Sequence, residues 1–320
     1  MHGKGDIMFE MLEKNDFQEI QSWVHRNARP LEYTLWKFHF ESGCIEDVLA
    51  ALAVYQNEDG GFGKILEPDN WNPESTPYNT EFAINILKQI GFYDLTHPIY
   101  RGILKYLEDT IYQGFSGWFF TVPGNNEYPH AIWWTHNEKE NNEHQNIGIT
   151  ASLSGFILRY TEPEIKLYDK ALEYTEMLFD KLRSNDNFGD MGLLGYCSLY
   201  EDLKETELHN KFDLKFLKEK ISLMIEEHFH EYVWTNHQDI ATVLPTTSVF
   251  YYKGKEQAVT NALDELINIR PSQGVWGIPW EWYDNGLYVR EFAISENWWK
   301  SYKAIEKVLF LREHGRLRMD

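Results

Sequence analysis

A short glycine-rich turn between two amphipathic segments is the feature that most constrains the fold of this chain. The stretch "QNEDGGFG", Gln56 to Gly63, follows the apolar run "CIEDVLAALAVY" and precedes a second run, "STPYNTEFAINILKQIGF". Glycine takes the positive φ that stops a helix without a Cβ penalty, so we expect Gly60 and Gly61 to end the first helix. The aromatic residue between the glycines, Phe62, is predicted to pack the turn against a neighbouring helical hairpin.

Two polar residues of the same turn are expected to stabilise it. Asp59 is placed to accept hydrogen bonds from backbone donors that the helix end leaves free. Gln56 is placed to bind a backbone group of the next helix. We therefore interpret the stretch as a structural element, called here the Gly-aromatic clamp, and not as a catalytic loop.

The Gly-aromatic clamp recurs along the chain in weaker form. A glycine beside an aromatic residue closes an amphipathic segment in "QGFSGWFF", "RSNDNFGDMG" and "RPSQGVWGIPW", and a degenerate copy, "HEYVWTN", ends at Asn236. The aromatic residues of the five copies, 42 to 70 residues apart, are Phe62, Trp118, Phe188, Trp234 and Trp276. This spacing fits one helical hairpin per repeat with variable loops, which is typical of a closed or stacked array.

Apolar residues between the clamps follow the helical period. The sets with this spacing are Ala83, Ile86, Leu87 and Ile90; Leu217, Ile221, Met224 and Ile225; and Trp298, Tyr302, Ile305 and Leu309. Strand-like alternation with hairpin turns is nearly absent. The predicted class is all-α, with a single domain over residues 1–320.

The clearest copy of the clamp resembles the QW-type repeat of the terpenoid cyclase and protein prenyltransferase superfamily. That repeat has Gln, a few residues, then Gly-Gly or Asp-Gly-Gly and an aromatic residue, and "QGVWGIPW" resembles a further copy. The resemblance covers about Val48 to Leu309. It implies an (α/α) toroid, in which about six helical hairpins surround a central cavity. It implies a fold rather than a reaction, because toroids host unrelated chemistries.

The chain departs from the motifs of the characterised enzymes of that superfamily. Cyclases that act by protonation carry Asp-x-Asp-Asp at the start of an inner helix, where this chain reads "TPYNTE", Thr76 to Glu81. The acids of "EPDN", Glu67 to Asn70, come too early. Protein prenyltransferases bind zinc through Asp-x-Cys and a distant His, whereas the residue two before Cys197 is Gly195. A standard cyclase and a protein prenyltransferase are therefore disfavoured.

The resemblance implies that the loops after the clamps meet at one mouth of the cavity, so candidate site residues are sought there. Acid–base chemistry needs two carboxylates, or a carboxylate and a histidine, to converge. The candidate catalytic residues are Glu67, Asp69, His144, Asp239, Glu281 and Asp284, and the candidate ligand-binding residues are Tyr78, Trp133, Trp134, His237, Trp280, Trp282 and Tyr283. The alternative for each acid is a helix cap or a surface charge, and for each Trp it is core packing.

Three functions fit these residues. The preferred one is a terpenoid cyclase- or prenyltransferase-like toroid that binds a hydrophobic or isoprenoid-type small molecule, since ring faces stabilise a carbocation. The second is a carbohydrate-active toroid, a polysaccharide lyase or glycoside hydrolase, in which Trp rings stack on sugars beside two carboxylates. The third is a non-catalytic binding or scaffold toroid. Whether the protein is an enzyme stays open at this point.

Charge and composition exclude several partners. The net charge is −20, whereas a nucleic-acid binder needs a basic face and an anionic membrane repels such a chain. No apolar run approaches about 18 residues, so no membrane-spanning segment is predicted, and the N-terminal residues contain no long apolar secretory region. The two cysteines, Cys44 and Cys197, lie far apart and suit a reducing compartment. A cytoplasmic location is predicted.

No motif in the sequence calls for a cofactor or a metal. Phosphate-binding loops, dinucleotide fingerprints and Ser/His/Asp nucleophile motifs are absent, so no cofactor is predicted. The stretch "HFHEYVWTNHQD" contains His228, His230, His237 and Asp239, but it matches no recognised metal-ligand spacing. No metal site is predicted, and the sequence carries no signal about the oligomeric state.

Overall fold

The structure is a computed structural model and describes residues 9–110, 117–137, 143–185, 188–231, 254–283 and 286–319. Nearly all regular structure in these residues is helical, which confirms the all-α class. The α-helices are α1 (Lys14–Asn27), α2 (Pro30–Phe40), α3 (Ile45–Ala53), α4 (Pro77–Gln89), α5 (Pro98–Asp109), α6 (Glu143–Tyr160), α7 (Lys166–Ser184), α8 (Gly189–Leu203), α9 (Leu214–Glu231), α10 (Glu256–Asn268) and α11 (Val289–Glu313). Short 3-10 helices lie at Pro123–Glu127, Ile132–Trp134 and Glu207–Asn210, and two parallel strands are β1 (Leu12–Glu13) and β2 (Leu317–Arg318).

Proline and capping residues explain where several helices begin. Pro30, Pro77 and Pro98 each occupy the first helical position, where the missing N–H has no intrahelical partner to lose. Thr76 caps α4, because its hydroxyl oxygen accepts a hydrogen bond from the Asn79 N–H at 3.0 Å. After α4, Gly91 has a φ of +68° and allows the chain to turn away.

The described residues form two compact units. Unit 1 contains residues 9–44, 254–280 and 294–319, and therefore α1, α2, α10, both strands and most of α11. Unit 2 contains the described residues between 45 and 231, together with 281–283 and 286–293, and therefore α3 to α9. Each unit has buried apolar residues of its own, such as Trp36 in unit 1 and Phe156 in unit 2. The single domain stays a prediction.

The helices of unit 2 are arranged in two rows. Helix α6 contacts both α4 and α8, while α7 contacts both α5 and α9. Contacts of α6 with α7 and of α8 with α9 join the rows. Between α6 and α8 the backbones approach closely, since a Cβ on Gly195 would lie 2.1 Å from the Gly148 carbonyl oxygen. Only glycine fits at such an approach. Consecutive helical hairpins therefore pack side by side within this unit.

The Gly-aromatic clamp after α3 agrees with its predicted details only in part. Helix α3 ends at Ala53, before the glycines, so the prediction that Gly60 and Gly61 end it was wrong, and they shape the turn that follows. Gly60 has a φ of +94°, Asp59 accepts a hydrogen bond from the Gly61 N–H at 3.0 Å, and Phe62 is fully buried. Gly61 differs from the prediction because its φ is not positive. A glycine is needed there for space, since a Cβ would lie 2.5 Å from the Tyr106 Cδ2 atom. The aromatic residues Trp118, Phe188 and Trp276 of other copies are also buried, whereas Trp234 lies outside the described residues.

Gln56 binds a different helix from the one predicted. Its Nε2 atom donates to the Gly60 carbonyl at 2.8 Å and to the Ile99 carbonyl at 3.0 Å. Ile99 belongs to α5, the second helix after the clamp and not the next one. Gly102 of α5 makes room for this contact, because a Cβ there would lie 2.5 Å from the Gln56 Nε2 atom. The clamp thus joins the end of α3 to the start of α5.

Candidate functional site

Buried asparagines join the loop before α4 to the loop that follows residue 117. Asn70 and Asn72 each donate from Nδ2 to the Asn125 Oδ1 atom at 3.1 Å. Asn125 in turn donates from its own Nδ2 to the Trp134 carbonyl at 3.1 Å. A backbone bond of 2.9 Å from the Ala131 N–H to the carbonyl of Asp69 runs alongside. Buried amides that satisfy one another in this way fix the relative position of the two loops.

An aromatic cluster lies where these two loops meet. Its buried centre consists of Phe120, Ala131, Trp134 and Trp282. The Trp134 ring stacks on Phe120 with centroids 4.5 Å apart, and Tyr78 of α4 meets the Trp134 ring edge-on at 4.6 Å. Partly buried side chains packed around this centre are Trp71, Tyr78, Trp133, Met191, Tyr283, Tyr288 and Phe292. The aromatic cluster therefore draws rings from several separate segments of unit 2.

A buried carboxyl group is fixed at the edge of this cluster. The Asp69 Oδ1 atom accepts a hydrogen bond of 2.7 Å from the indole Nε1–H of Trp282. Both side chains are at most 2% exposed. Glu67, also buried, is positioned through its backbone, whose N–H donates to the Asn79 Oδ1 atom at 2.9 Å. Since a buried polar group is costly unless it is hydrogen-bonded, the bond to Trp282 holds the Asp69 carboxyl in one orientation.

The structure brings only part of the predicted site together. The predicted residues that lie at or beside the aromatic cluster are Asp69, Tyr78, Trp133, Trp134, Trp282 and Tyr283. Trp280 belongs to unit 1, where its ring meets Trp299 edge-on at 5.6 Å, and Glu281 is exposed. His237, Asp239 and Asp284 lie outside the described residues, as does the side chain of His144 at the start of α6. The roles assigned to all these residues stay predictions.

Within the residues that the structure describes, no three side chains of His, Cys, Asp or Glu are grouped so that they could hold a metal ion. His228 and His230 lie in the last turn of α9, but their side chains are not among those that the structure describes. None of the described helices combines the length and the apolar character needed to cross a membrane.

Glu81 of α4 is a candidate residue that the sequence reasoning missed. Its carboxyl is hydrogen-bonded to Ser152 of α6 and to Asn85, and the charge of Lys88 also acts on it. Burial raises the pKa of the Glu81 carboxyl above its ordinary value, although these neighbours act in the opposite direction. The acidic motif of the cyclases predicts aspartates in "TPYNTE", and a lone glutamate at its end does not match that motif. The useful signal was its spacing, three residues after Tyr78 on one helix face.

Comparisons with models of known protein families, with curated proteins and with solved structures were made for the whole chain. None of the three found a match.

Proposed function

We propose that this chain is an (α/α) toroid protein that binds a hydrophobic, isoprenoid-type small molecule against the aromatic cluster of unit 2. One observation carries the proposal: partly buried side chains, including Trp133, Tyr78 and Met191, pack around a buried aromatic centre. Ligand sites for small apolar molecules are mostly lined by aromatic and aliphatic groups with a few placed polar ones. Asp69 and Glu81 supply such polar groups in the same unit.

The rigidity of the two joined loops also supports binding. The asparagine network that ends on the Trp134 carbonyl holds the cluster in place before any ligand arrives. A site that is already ordered loses less conformational entropy when it binds, so its contacts contribute more fully to affinity. The two rows of helices in unit 2 are compatible with the toroid that the resemblance to the superfamily implies.

One observation favours a second function, the binding or cleavage of an oligosaccharide. Asp69 is fixed beside the indole of Trp282, and a carboxylate next to Trp rings is a common arrangement for sugar recognition. Glycosidic chemistry requires a second carboxyl at a defined separation. Among the described acids of unit 2, Glu67 and Glu81 are the candidates for this second carboxyl.

The two functions are separated by a binding experiment with farnesol as the apolar probe and cellohexaose as the sugar probe. We expect farnesol to bind in calorimetry and Trp133→Ala to weaken it about tenfold, as loss of one aromatic contact costs about 1 kcal/mol or slightly more. The control is Trp23→Ala, which removes a partly buried Trp of unit 1 and is expected to leave the affinity unchanged.

Other results would contradict the proposal in distinct ways. Binding of cellohexaose alone, with sensitivity to Asp69→Asn, would establish the carbohydrate function instead. Binding of neither probe would favour the scaffold function. Equal loss of farnesol binding in Trp133→Ala and Trp23→Ala would show that the aromatic cluster is not the site.

A further inference from the structure

One side of helix α4 stays accessible while the opposite side is buried. Tyr78, Glu81, Asn85 and Lys88 follow one another at i, i+3, i+7 and i+10, so they lie on one face. We call these four residues the α4 stripe. All four keep exposed surface. The residues on the other faces, which are at most 1% exposed, are Asn79, Thr80, Ala83, Ile84, Ile86 and Leu87.

The α4 stripe continues the aromatic cluster toward a polar end. Tyr78 belongs to both, since it contacts Phe120 at 5.1 Å and Trp134 at 4.6 Å. At 1.5 Å per residue, the helix advances about 15 Å from Tyr78 to Lys88. The stripe therefore offers rings at one end and hydrogen-bonding groups at the other, which suits an elongated molecule with one polar end.

Glu81 is the central polar group of the stripe. Its carboxyl lies deep enough for burial to disfavour the charged form, yet part of the residue remains accessible. A carboxyl oxygen accepts a hydrogen bond from a ligand hydroxyl. The Asn85 amide beside it can both donate and accept.

The cations near the polar end are already engaged. The Lys88 Nζ atom lies 2.5 Å from the Asp202 Oδ2 atom, and the Arg159 Nη1 atom lies 3.3 Å from the Oδ1 atom of the same carboxylate. Recognition of a phosphate requires converging cations or free backbone amides at a helix start. The polar end of the stripe lies in the last turns of α4, where carbonyls and not amides are left over.

We infer that the α4 stripe recognises an uncharged polar head group, a hydroxyl or a carbonyl, of an elongated apolar molecule whose tail lies on the aromatic cluster. A phosphate or diphosphate head group is disfavoured by the Glu81 carboxyl and by the pairing of Lys88 with Asp202. The inference rests on the proposed function and narrows its ligand class.

Three probes with the same carbon skeleton test the inference: farnesol, farnesene and farnesyl diphosphate, each measured by equilibrium dialysis. We expect farnesol to bind about tenfold more tightly than either other probe, the effect of roughly one buried hydrogen bond. Glu81→Leu is expected to abolish the preference for farnesol over farnesene. Glu81→Gln, which keeps a carbonyl acceptor at this position, is expected to keep the preference within about threefold. Glu164→Leu, at an exposed acid of unit 2, is the control.

The possible results separate this inference from the proposed function. Equal binding of farnesol and farnesene, or tighter binding of farnesyl diphosphate, would overturn the inference and leave the proposed function standing. Binding of none of the three would contradict the proposed function and the inference with it. If Glu81→Leu does not fold, Asn85→Ala takes its place, and an unchanged preference for farnesol in that variant would also overturn the inference.

Discussion

At the scale of single residues, protonation of the His39 side chain in α2 links the stability of the protein to pH. Its Nε2 atom finds no hydrogen-bond partner among the described residues, and the Arg312 guanidinium donates to its backbone carbonyl at 2.6 Å. Burial, followed by the charge of Arg312, lowers the pKa of His39 from 6.5 to about 4. His39 is therefore neutral in the folded protein at pH 5, whereas it is protonated in the unfolded chain.

We predict that His39 makes the protein less stable as the pH falls from 7.5 to 5. The pKa of His39 is lower in the folded state than in the unfolded state. The contribution of neutral His39 to the free energy of unfolding is therefore complete above pH 6.5 and is lost as the pH falls toward 4. The loss over this interval is about 2 kcal/mol in the free energy of unfolding. Urea titrations of the wild type and of His39→Leu should differ in pH slope by this amount. His209→Leu, at an exposed histidine, should keep the wild-type slope, and an unchanged slope in His39→Leu would refute the assignment.

Residue contacts also show why part of the candidate site escaped the sequence. In two clamps the aromatic residue donates its backbone N–H to a threonine hydroxyl, from Phe62 to Thr80 at 3.1 Å and from Trp118 to Thr150 at 3.0 Å. The threonine lies 18 residues away in one case and 32 in the other. Such bonds have no fixed spacing in the sequence. The pairing of Glu81 with Ser152 is equally non-local, and only the folded helices bring it about.

At the scale of elements, the segment from α3 through α4 was predictable because its determinants are local. Gly60 and Pro77 set the turn and the helix start through their own conformational preferences. The partner of Gln56 was predicted in the wrong helix, since the choice between α4 and α5 depends on how rows of helices pack. The joining of two loops through Asn125 was not predictable for the same reason.

We predict that Gly60→Ala destabilises the protein far more than Gly→Ala at a glycine with positive φ and no neighbouring atoms. Gly60 combines a φ of +94° with a Cβ position 2.2 Å from the Gly102 carbonyl oxygen, so the clamp must move away from α5. The expected loss is about 3 kcal/mol or more in the free energy of unfolding. Gly91→Ala is the matched control, because Gly91 also has positive φ but nothing lies within 4 Å of its Cβ position. Its cost should be about 1 kcal/mol, the backbone term alone.

Chemical denaturation of the two variants measures this difference. Equal losses would mean that backbone conformation alone matters and that the contact of the clamp with α5 contributes little. A smaller loss in Gly60→Ala than in Gly91→Ala would contradict the packing of the clamp described here.

At the scale of the whole molecule, the excess of acids is the dominant electrostatic feature. The chain has 50 Asp and Glu against 30 Lys and Arg, which gives a net charge of −20. Self-repulsion of this kind destabilises compact states and is screened by salt, with a Debye length of about 10 Å at 0.1 M. Ion pairs act in the other direction, and the pairs of Asp202 with Lys88 and Arg159 are examples.

We predict that repulsion outweighs the ion pairs, so that sodium chloride raises the thermal midpoint. Between 10 mM and 200 mM salt, the expected gain is about 1 kcal/mol, or roughly 2 °C. Calorimetric scans at fixed pH check this, and Asp202→Asn in the same series serves as a variant that lacks the ion pairs of Asp202 with Lys88 and Arg159. A midpoint that falls with salt in the wild type would show that ion pairs dominate.

Unit 1 is discontinuous in the sequence, and this has a consequence for biosynthesis. Its strand pair joins residues near both extremes of the described chain, and Arg318 binds Glu13 across 305 residues. Translation at about 5–20 residues per second delays that contact by roughly 15–60 seconds. During this interval, the apolar faces of α1 and α2 lack the later segments of unit 1 as packing partners. Most helices of unit 2 are synthesised before those segments. We therefore expect the exposed apolar faces of the first helices to bind a chaperone until the rest of unit 1 is synthesised.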